Sequence, residues 1–413
     1  MSEPVVKQIV LASRPKGLPT HENFRLQDVP MPELPQGGLL LRVLYLSLDP
    51  YMRGRMDDRK SYAKPASIGG VMPGESVCEV IASDQAGYAV GDVVLAQTGW
   101  RTHAASAGAA LRKLNPAAAP ITTGLGVLGM PGFTAYAGLN LIGKPKPGET
   151  VVVAAASGPV GSLVGQLAKL SGARAVGIAG GSEKCRAVVE EFRFDAAVDH
   201  RASDFAEKLA AACPNGIDVY FENVGGAVWQ VVLPLLNPFA RVPVCGLIAQ
   251  YNATGPAPGP NLLPATMREV LSKSLTLRGY INYEFAAEHF AAFLRTVGAA
   301  VAEAASAIAR TSPTALRMRQ PRSSACWKAA TSAKRSCASR RRAADPRCRF
   351  ERTPPCRPTP SLASKEPWTT PSGQRLPPKS RASTARQRAL RPTLHRSFSR
   401  RSHQIATSSA GAH

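Results

Sequence analysis

The sequence predicts an α/β chain in which a doubly wound parallel sheet follows a β-rich domain, and three observations carry that expectation. In the stretch VVVAAASGPVGSLVGQLAKLSGARAVGIAGGSEKCR (151–186), an apolar run suited to a strand buried on both faces leads into a small-residue turn, a helix and a second strand. Alternating strand and helix signals then continue to residue 301. Before that stretch, residues 1–130 break into short strand-like runs punctuated by Pro and Gly.

In chain order, LLLRVLYLSL (39–48) is a strand that ends in Asp49-Pro50-Tyr51-Met52-Arg53-Gly54-Arg55. Residues 69–80, with Gly69, Gly70, Pro73 and Gly74, read as barrel strands turning corners, and 92–97 and 100–104 continue the pattern. Met130-Pro131-Gly132-Phe133-Thr134-Ala135-Tyr136 opens a helix that leads through Lys144-Pro145-Lys146-Pro147-Gly148 to the strand 151–155. Residues 162–170 have helical spacing and stop at Gly172, a C-terminal glycine, before the strand 175–179. Helices are expected at 182–192, 204–212, 228–236 and 286–301, and strands at 196–198, 218–224, 241–245 and 275–281.

The first turn holds Ala155, Gly158 and Gly161 as A-x-x-G-x-x-G, with Pro159 and Val160 between the glycines. Glycines let a backbone approach a pyrophosphate, and a helix N-terminus offers it free N–H groups and a positive dipole. An NAD site usually carries an acidic residue at the second strand end, for the ribose 2′-hydroxyl. Here that end reads Gly180-Gly181-Ser182, followed by Lys184. A lysine attracts a 2′-phosphate, so the expected cofactor is NADPH. Ligands of an open parallel sheet bind beyond the carboxyl ends of the strands. Asn223, Gln250-Tyr251-Asn252 and Tyr280-Asn282 are placed there, and the strand 241–245 ends in Cys245-Gly246.

The net charge of +23 would ordinarily suggest a nucleic-acid or acidic-membrane partner. Its distribution argues otherwise, because residues 1–303 hold 27 Lys+Arg against 25 Asp+Glu, and 304–413 hold 24 against 3. Cys78, Cys185, Cys213 and Cys245 are scattered without a C-x-x-C or Cys/His cluster, so reduced thiols and no metal site are expected. No apolar run approaches 18 residues and MSEPVVKQIV is not a signal peptide, so a cytoplasmic protein without a membrane partner is expected.

From about residue 5 to 303 the chain resembles the zinc-independent medium-chain dehydrogenase/reductases, in particular the NADPH-dependent alkenal/one reductases that include prostaglandin reductases and curcumin reductases. The matching residues are LYLSLDPYMRGRM (44–56), MPGFTAY (130–136), AASGPVGSLVGQLAKL (155–170), GIAGGSEKCR (177–186), FENVGG (221–226) and CGLIAQYN (245–252). The resemblance implies a GroES-like domain over 1–130, a Rossmann domain over 131–303, and reduction of a C=C bond conjugated to a carbonyl. It points to Tyr251 as the hydrogen-bond donor to the enolate oxygen, with Tyr51 near the pocket. Where zinc enzymes of the wider superfamily carry Gly-His-Glu, this chain reads Gly74-Glu75-Ser76. The chain also departs from the family: the tyrosine expected beside the 2′-phosphate is His200, in Asp199-His200-Arg201, and a glycine expected after Phe192 is Arg193. The resemblance further implies a homodimer.

The tail 304–413 is rich in Arg, Ser, Pro, Ala and Thr without lasting periodicity, a composition normally read as disorder. A reading-frame slip accounts for it better. With one G supplied before the codon of Ala304, the shifted frame permits a family-like GMLEGRNFGK, and Cys326-Trp327-Lys328 forces the Leu-Glu within it. The segment so lost would supply a closing strand to the first domain and an Asn near the cofactor, and would leave a sheet edge unpaired.

Three function classes follow. The leading one is an NADPH-dependent reductase of α,β-unsaturated ketones and aldehydes. A quinone reductase of the same superfamily is the second. The third is polyanion or nucleic-acid binding by the basic tail, which its few aromatics (Trp327, Phe350, Trp368, Phe398) support poorly.

Overall fold

A computed structural model describes residues 5–108, 111–256, 261–302 and 315–317. Its first part is antiparallel. β1 (Val5–Leu11) and β2 (Phe24–Pro30) form a hairpin. β3 (Leu39–Ser47), β4 (Ser76–Ser83), β5 (Val93–Ala96), β6 (His103–Ser106) and β7 (Arg112–Lys113) form a sheet in the order β3-β4-β5-β7, with β6 on the other side of β3. The buried residues Ile9, Leu11, Leu41, Val43, Met72, Val80, Val94 and Trp100 fill its core. Their alternation along each strand is the period-two pattern of a sheet with one face turned inward. A single turn of helix, α1 (Met52–Arg55), follows β3.

The second part is the predicted parallel sheet. β8 (Thr150–Ala154), β9 (Arg174–Ala179), β10 (Ala196–Asp199), β11 (Ile217–Phe221), β12 (Leu236–Val244) and β13 (Thr276–Gly279) run in the order β10-β9-β8-β11-β12-β13, every pair parallel. This is the 3-2-1-4-5-6 order of a doubly wound nucleotide-binding sheet, whose direction of travel reverses between β8 and β11. Successive residues of β8 serve opposite faces. Val151 and Val153 pack with α2 (Met130–Ala137), α3 (Pro159–Leu170) and α8 (Ala286–Ala302), whereas Val152 and Ala154 pack with α5 (Phe205–Ala212) and α6 (Gly226–Val232). The unbroken apolar run is therefore explained by burial on both faces.

Several boundaries differ from expectation. α3 starts at Pro159, because Pro is preorganised for the first helical position. The expected helix 228–236 stops earlier: α6 passes through a 3-10 turn Leu233–Leu235, and Leu236 already begins β12. β13 covers four residues, which leaves Tyr280 and Asn282 beyond the strand. α7 (Leu263–Ser272) was not foreseen; it buries no residue, although Leu263, Met267, Val270 and Leu271 recur at helical spacing. Arg193 has φ 62°, a left-handed conformation that glycine adopts freely.

The expectations of a disordered tail, a slipped frame and an Asn near residue 330 lie outside the described residues, except at β14 (Ala315–Arg317). β14 pairs antiparallel with Tyr45–Ser47 of β3, so that part of the edge expected to stand open carries a partner.

Candidate active site and cofactor cleft

The crevice at the reversal point is lined by the first turn. Ala155 leaves β8 with φ 53°, Gly158 donates its N–H to Ala155 O at 2.9 Å and caps α3, and Pro159 and Val160 open the helix. A Cβ on Gly161 would lie 2.4 Å from Ala155 O, so only glycine lets α3 approach β8 this closely. Across the crevice, Asn223 follows β11 and donates from Nδ2 to Ala154 O at 2.8 Å. Glu222, buried beside it, accepts from the N–H groups of Val224 and Gly225 and from the Tyr220 hydroxyl. Burial raises its pKa, and those donors oppose the rise.

At the end of β9, Gly181 has φ 97° and precedes α4 (Ser182–Glu190), which carries Ser182 and Lys184 exposed in its first turn. His200 and Arg201 reach this turn from the end of β10. β9 and β10 are paired, so these residues lie at two neighbouring strand ends.

The third group collects at the ends of β12 and β13. Cys245 and Gly246 both donate backbone N–H groups to Glu222 O, at 2.9 and 3.1 Å. Burial pushes the Cys245 thiol up to about 11. A 3-10 turn, Ile248–Gln250, carries the chain to Tyr251, whose hydroxyl comes within 3.0 Å of the Cβ position of Gly246. Tyr251 is half-buried and its hydroxyl is held above its ordinary pKa by burial first, with Cys245 and Tyr62 adding to the effect. Tyr280 lies deeper than Tyr251. It is buried, donates to Thr134 O at 2.8 Å and lies against the Cys245 thiol and Gly138, while Asn282 donates to Thr134 Oγ1 at 3.0 Å.

The first part closes over this group. Tyr51 precedes α1 half-buried, and burial pushes its hydroxyl well up, with Asp49, Glu75 and Tyr62 adding to the shift. The Arg55 guanidinium lies 4.2 Å from the Tyr62 ring centre and 5.7 Å from that of Tyr51. Tyr62 packs on Tyr283 at 6.4 Å between centres. Arg53, 4% exposed, joins the two parts: its Nη1 donates to Asp57 at 2.6 Å, Nη2 to Gly17 O at 3.0 Å and Nε to Asn252 Oδ1 at 3.1 Å. Sequence reasoning assigned no role to Tyr62, Tyr283 or Arg53. Nothing in the spacing of DDRKSYAKPAS marks Tyr62, whereas Arg53 lay inside a matching motif and only its burial distinguishes it.

Behind Tyr51, burial raises Asp49 to about 6 and Glu75 to about 7. Glu75 also accepts from Gln97 at 3.2 Å and is drawn down by Arg112. Among the described residues no three or more His, Cys, Asp or Glu side chains are grouped so as to hold a metal. A zinc ion does not fit this donor set.

A glycine crevice at the reversal point, a basic second strand end and a half-buried tyrosine opposite an aromatic wall define a nicotinamide-dependent oxidoreductase. Comparison with known proteins agrees. Residues 7–114 match the family described as the N-terminal domain of oxidoreductase, and 159–299 the one described as zinc-binding dehydrogenase. The chain is 54% identical over 294 residues to the NADPH-dependent curcumin reductase of Escherichia coli K12, covering 71% of this chain and 85% of that one. It is 41% identical over 277 residues to prostaglandin reductase 1 of Bos taurus, covering 66% and 80%. The crystal structure of CurA from Vibrio vulnificus in complex with NADPH superposes with a TM-score of 0.70 at 51% identity, covering 73% and 89%. The chain belongs to the medium-chain dehydrogenase/reductases, in the branch of NADPH-dependent reductases that these relatives form.

Proposed function

We propose that this chain reduces the C=C bond of small α,β-unsaturated ketones and aldehydes, with NADPH as the reductant. The observation that carries the reading is the Tyr251 hydroxyl, poised beside Gly246 at the strand ends and acted on by Tyr62 of the first part. Bound NADPH supplies a hydride to the β-carbon of such a substrate. Gly158, Pro159, Val160 and Gly161 hold the diphosphate, and Gly181, Ser182, Lys184 and His200 hold the 2′-phosphate. Asn223, Cys245 and Gly246 line the nicotinamide end, and Tyr280 supports that wall from behind through its bond to Thr134.

As negative charge gathers on the carbonyl oxygen, the Tyr251 hydroxyl donates a hydrogen bond to it. A tyrosine hydroxyl is protonated at neutral pH in any case, and burial pushes this one further the same way, so the group acts as a donor throughout. Tyr51 and the Tyr62 ring exclude water from the acceptor side and shape the pocket. The protein acts in the cytoplasm on small molecules and needs no nucleic-acid partner; no described helix is long and apolar enough to cross a membrane. It works as a homodimer: β13 is the outer strand of the parallel sheet among the described residues, and Leu263, Met267 and Leu271 of α7 stand exposed, as does Leu277 of β13.

The test is single-turnover reduction of a simple enone by the unmodified protein and by Tyr251→Phe. Loss of one such donor costs roughly 10²–10³ in rate, and the lower end is expected where water replaces the hydroxyl. An unchanged rate would exclude Tyr251 from the role, and a quinone consumed faster than every enone would replace the substrate class.

A further inference from the structure

The carboxyl groups behind Tyr51 form a line from the surface to the cleft. Ser47 ends β3, and its N–H donates to Glu75 O at 2.9 Å, so the exit from β3 lies beside the entry to β4. Two residues on, Asp49 is 8% exposed, and its carbonyl accepts from the Met52 N–H at 3.1 Å in the turn that sets Tyr51 at the head of α1. Asp49 has no cationic partner among the described residues; only Ser47 draws it down against burial. Glu75 is less deeply placed and accepts from Gln97 Nε2 at 3.2 Å, and Gln97 is exposed. Asp49 acts on Glu75, and both act on Tyr51, Asp49 the more strongly. Tyr62 acts in turn on Tyr51 and on Tyr251. The order from outside inward is therefore Gln97, Glu75, Asp49, Tyr51 and the space shared with Tyr251.

We propose that Asp49 and Glu75 are the proton reservoir of the reduction, and that their proton reaches the α-carbon of the substrate through the Tyr51 hydroxyl. This rests on the reading of the cleft as an enone-reducing site. Hydride addition at the β-carbon leaves an enolate, one proton short of the ketone. The electron pair of the enolate forms the new bond from the α-carbon to hydrogen as the Tyr51 O–H bond breaks. The Asp49 carboxyl returns a proton to the phenol oxygen, Glu75 returns one to Asp49, and water at the Gln97 end returns one to Glu75. Burial, then Asp49 and Glu75, hold Tyr51 far from a phenolate; Tyr62 adds to this and Arg55 opposes it, so the hydroxyl receives a proton as it gives one. Burial brings Asp49 to about 6 and Glu75 to about 7, with Arg112 and Gln97 opposing the rise in Glu75 and Asp49 adding to it. The reservoir is full at acid pH and empties as pH rises through about 7, which places its proton affinity where a general acid works best.

The experiment measures ketone formation by rapid quench, with the full chain, NADPH and a simple enone. In the unmodified protein the rate should be level at the acid end and fall as pH rises through about 7, by up to about tenfold per pH unit, a measurement that needs no variant. Asp49→Asn should lower the rate about 10²-fold at about pH 6 and abolish the fall, with NADPH affinity unchanged, and Tyr51→Phe should do the same. The double variant should be no slower than either single one, because both changes break the same line. Infrared titration of the chain alone should show carboxyl groups still protonated near neutral pH, lost in Asp49→Asn and Glu75→Gln, which reads the reservoir without turnover. A pH-independent rate in the unmodified protein, additive losses in the double variant, or no carboxyl protonated near neutral pH would overturn the proposal while enone reduction stands. Failure of the unmodified protein to reduce any enone would instead overturn the reading of the cleft, and this proposal with it.

Discussion

Arg53→Met tests whether the two parts of the molecule position Tyr251 for each other. The guanidinium is buried and makes one charged pair, two bonds to Gly17 O at 3.0 and 3.3 Å, and one to Asn252 at 3.1 Å. Methionine fills much of the volume but leaves the Asp57 carboxylate, the Gly17 carbonyl and the Asn252 amide without it. Breaking a buried charge pair by removing one partner costs about 3–5 kcal/mol. Asp57 is 22% exposed and keeps Arg59 at 3.0 Å, so the expected loss lies lower, at ~2–3 kcal/mol. Chemistry should suffer separately, since Asn252 is the immediate neighbour of Tyr251: the single-turnover rate should fall about tenfold with NADPH affinity unchanged within a factor of about two. Urea unfolding gives the first quantity, and rapid mixing with an enone the second. A variant that loses the predicted stability but keeps its single-turnover rate would refute positioning. One that loses no stability would refute the clamp.

The remaining expectations concern the cradle, the buried carboxylates and the backbone. Gly161→Ala places a Cβ against Ala155 O and forces α3 outward, so it should cost ~1–3 kcal/mol and reduce the thermal shift produced by NADPH; an unchanged shift would show that the cradle tolerates the displacement. Glu75 titrates at about 7 when folded and near 4.5 when unfolded, so the native state binds the extra proton. Its stability contribution is present below pH ~4.5 and lost as pH rises through about 7. Glu75→Gln should accordingly gain on the unmodified protein by on the order of 2 kcal/mol between about pH 5 and 8, read as the difference in Tm, and a constant difference would exclude the burial effect. Arg193→Gly should stabilise the chain by about 0.5–1 kcal/mol in urea unfolding, because glycine adopts φ 62° without the steric cost that arginine bears there; a loss would mean that the arginine is held by contacts.

The parallel sheet was legible because its strands are apolar on both faces and its turns carry glycines that nothing else could replace, Gly161 above all. Lys184 was expected from its place after the second strand end, and His200 from the resemblance to the family. The opposite wall was not. Tyr62 reaches the pocket from an irregular segment and is held by Arg55 and Tyr283, residues brought together only by the closed cleft. Tyr280 is placed differently. It follows the end of β13, as a ligand-binding residue should, but the packing of α2 turns its hydroxyl to Thr134. α7 was missed although its apolar residues recur at helical spacing; Leu263, Met267 and Leu271 stand exposed, while Val270 packs on the core and Thr266 accepts from Trp229.

The join between β8 and β11 is a short ladder. Three residue pairs hold it, Val151 to Val219, Val152 to Tyr220 and Val153 to Phe221, against five between β8 and β9. Side chains lengthen it at both ends: Asp218 accepts from the Thr150 N–H at 2.8 Å, and Asn223 donates to Ala154 O. A dinucleotide laid across the upper end touches both half-sheets and acts as a cross-tie, which must be released before they part. Its concentration then sets how often the interior of the sheet meets solvent. At a hundred times Kd the opening becomes about 2.7 kcal/mol costlier, and amide hydrogens of Val219–Phe221 that exchange through that opening should do so roughly a hundredfold more slowly.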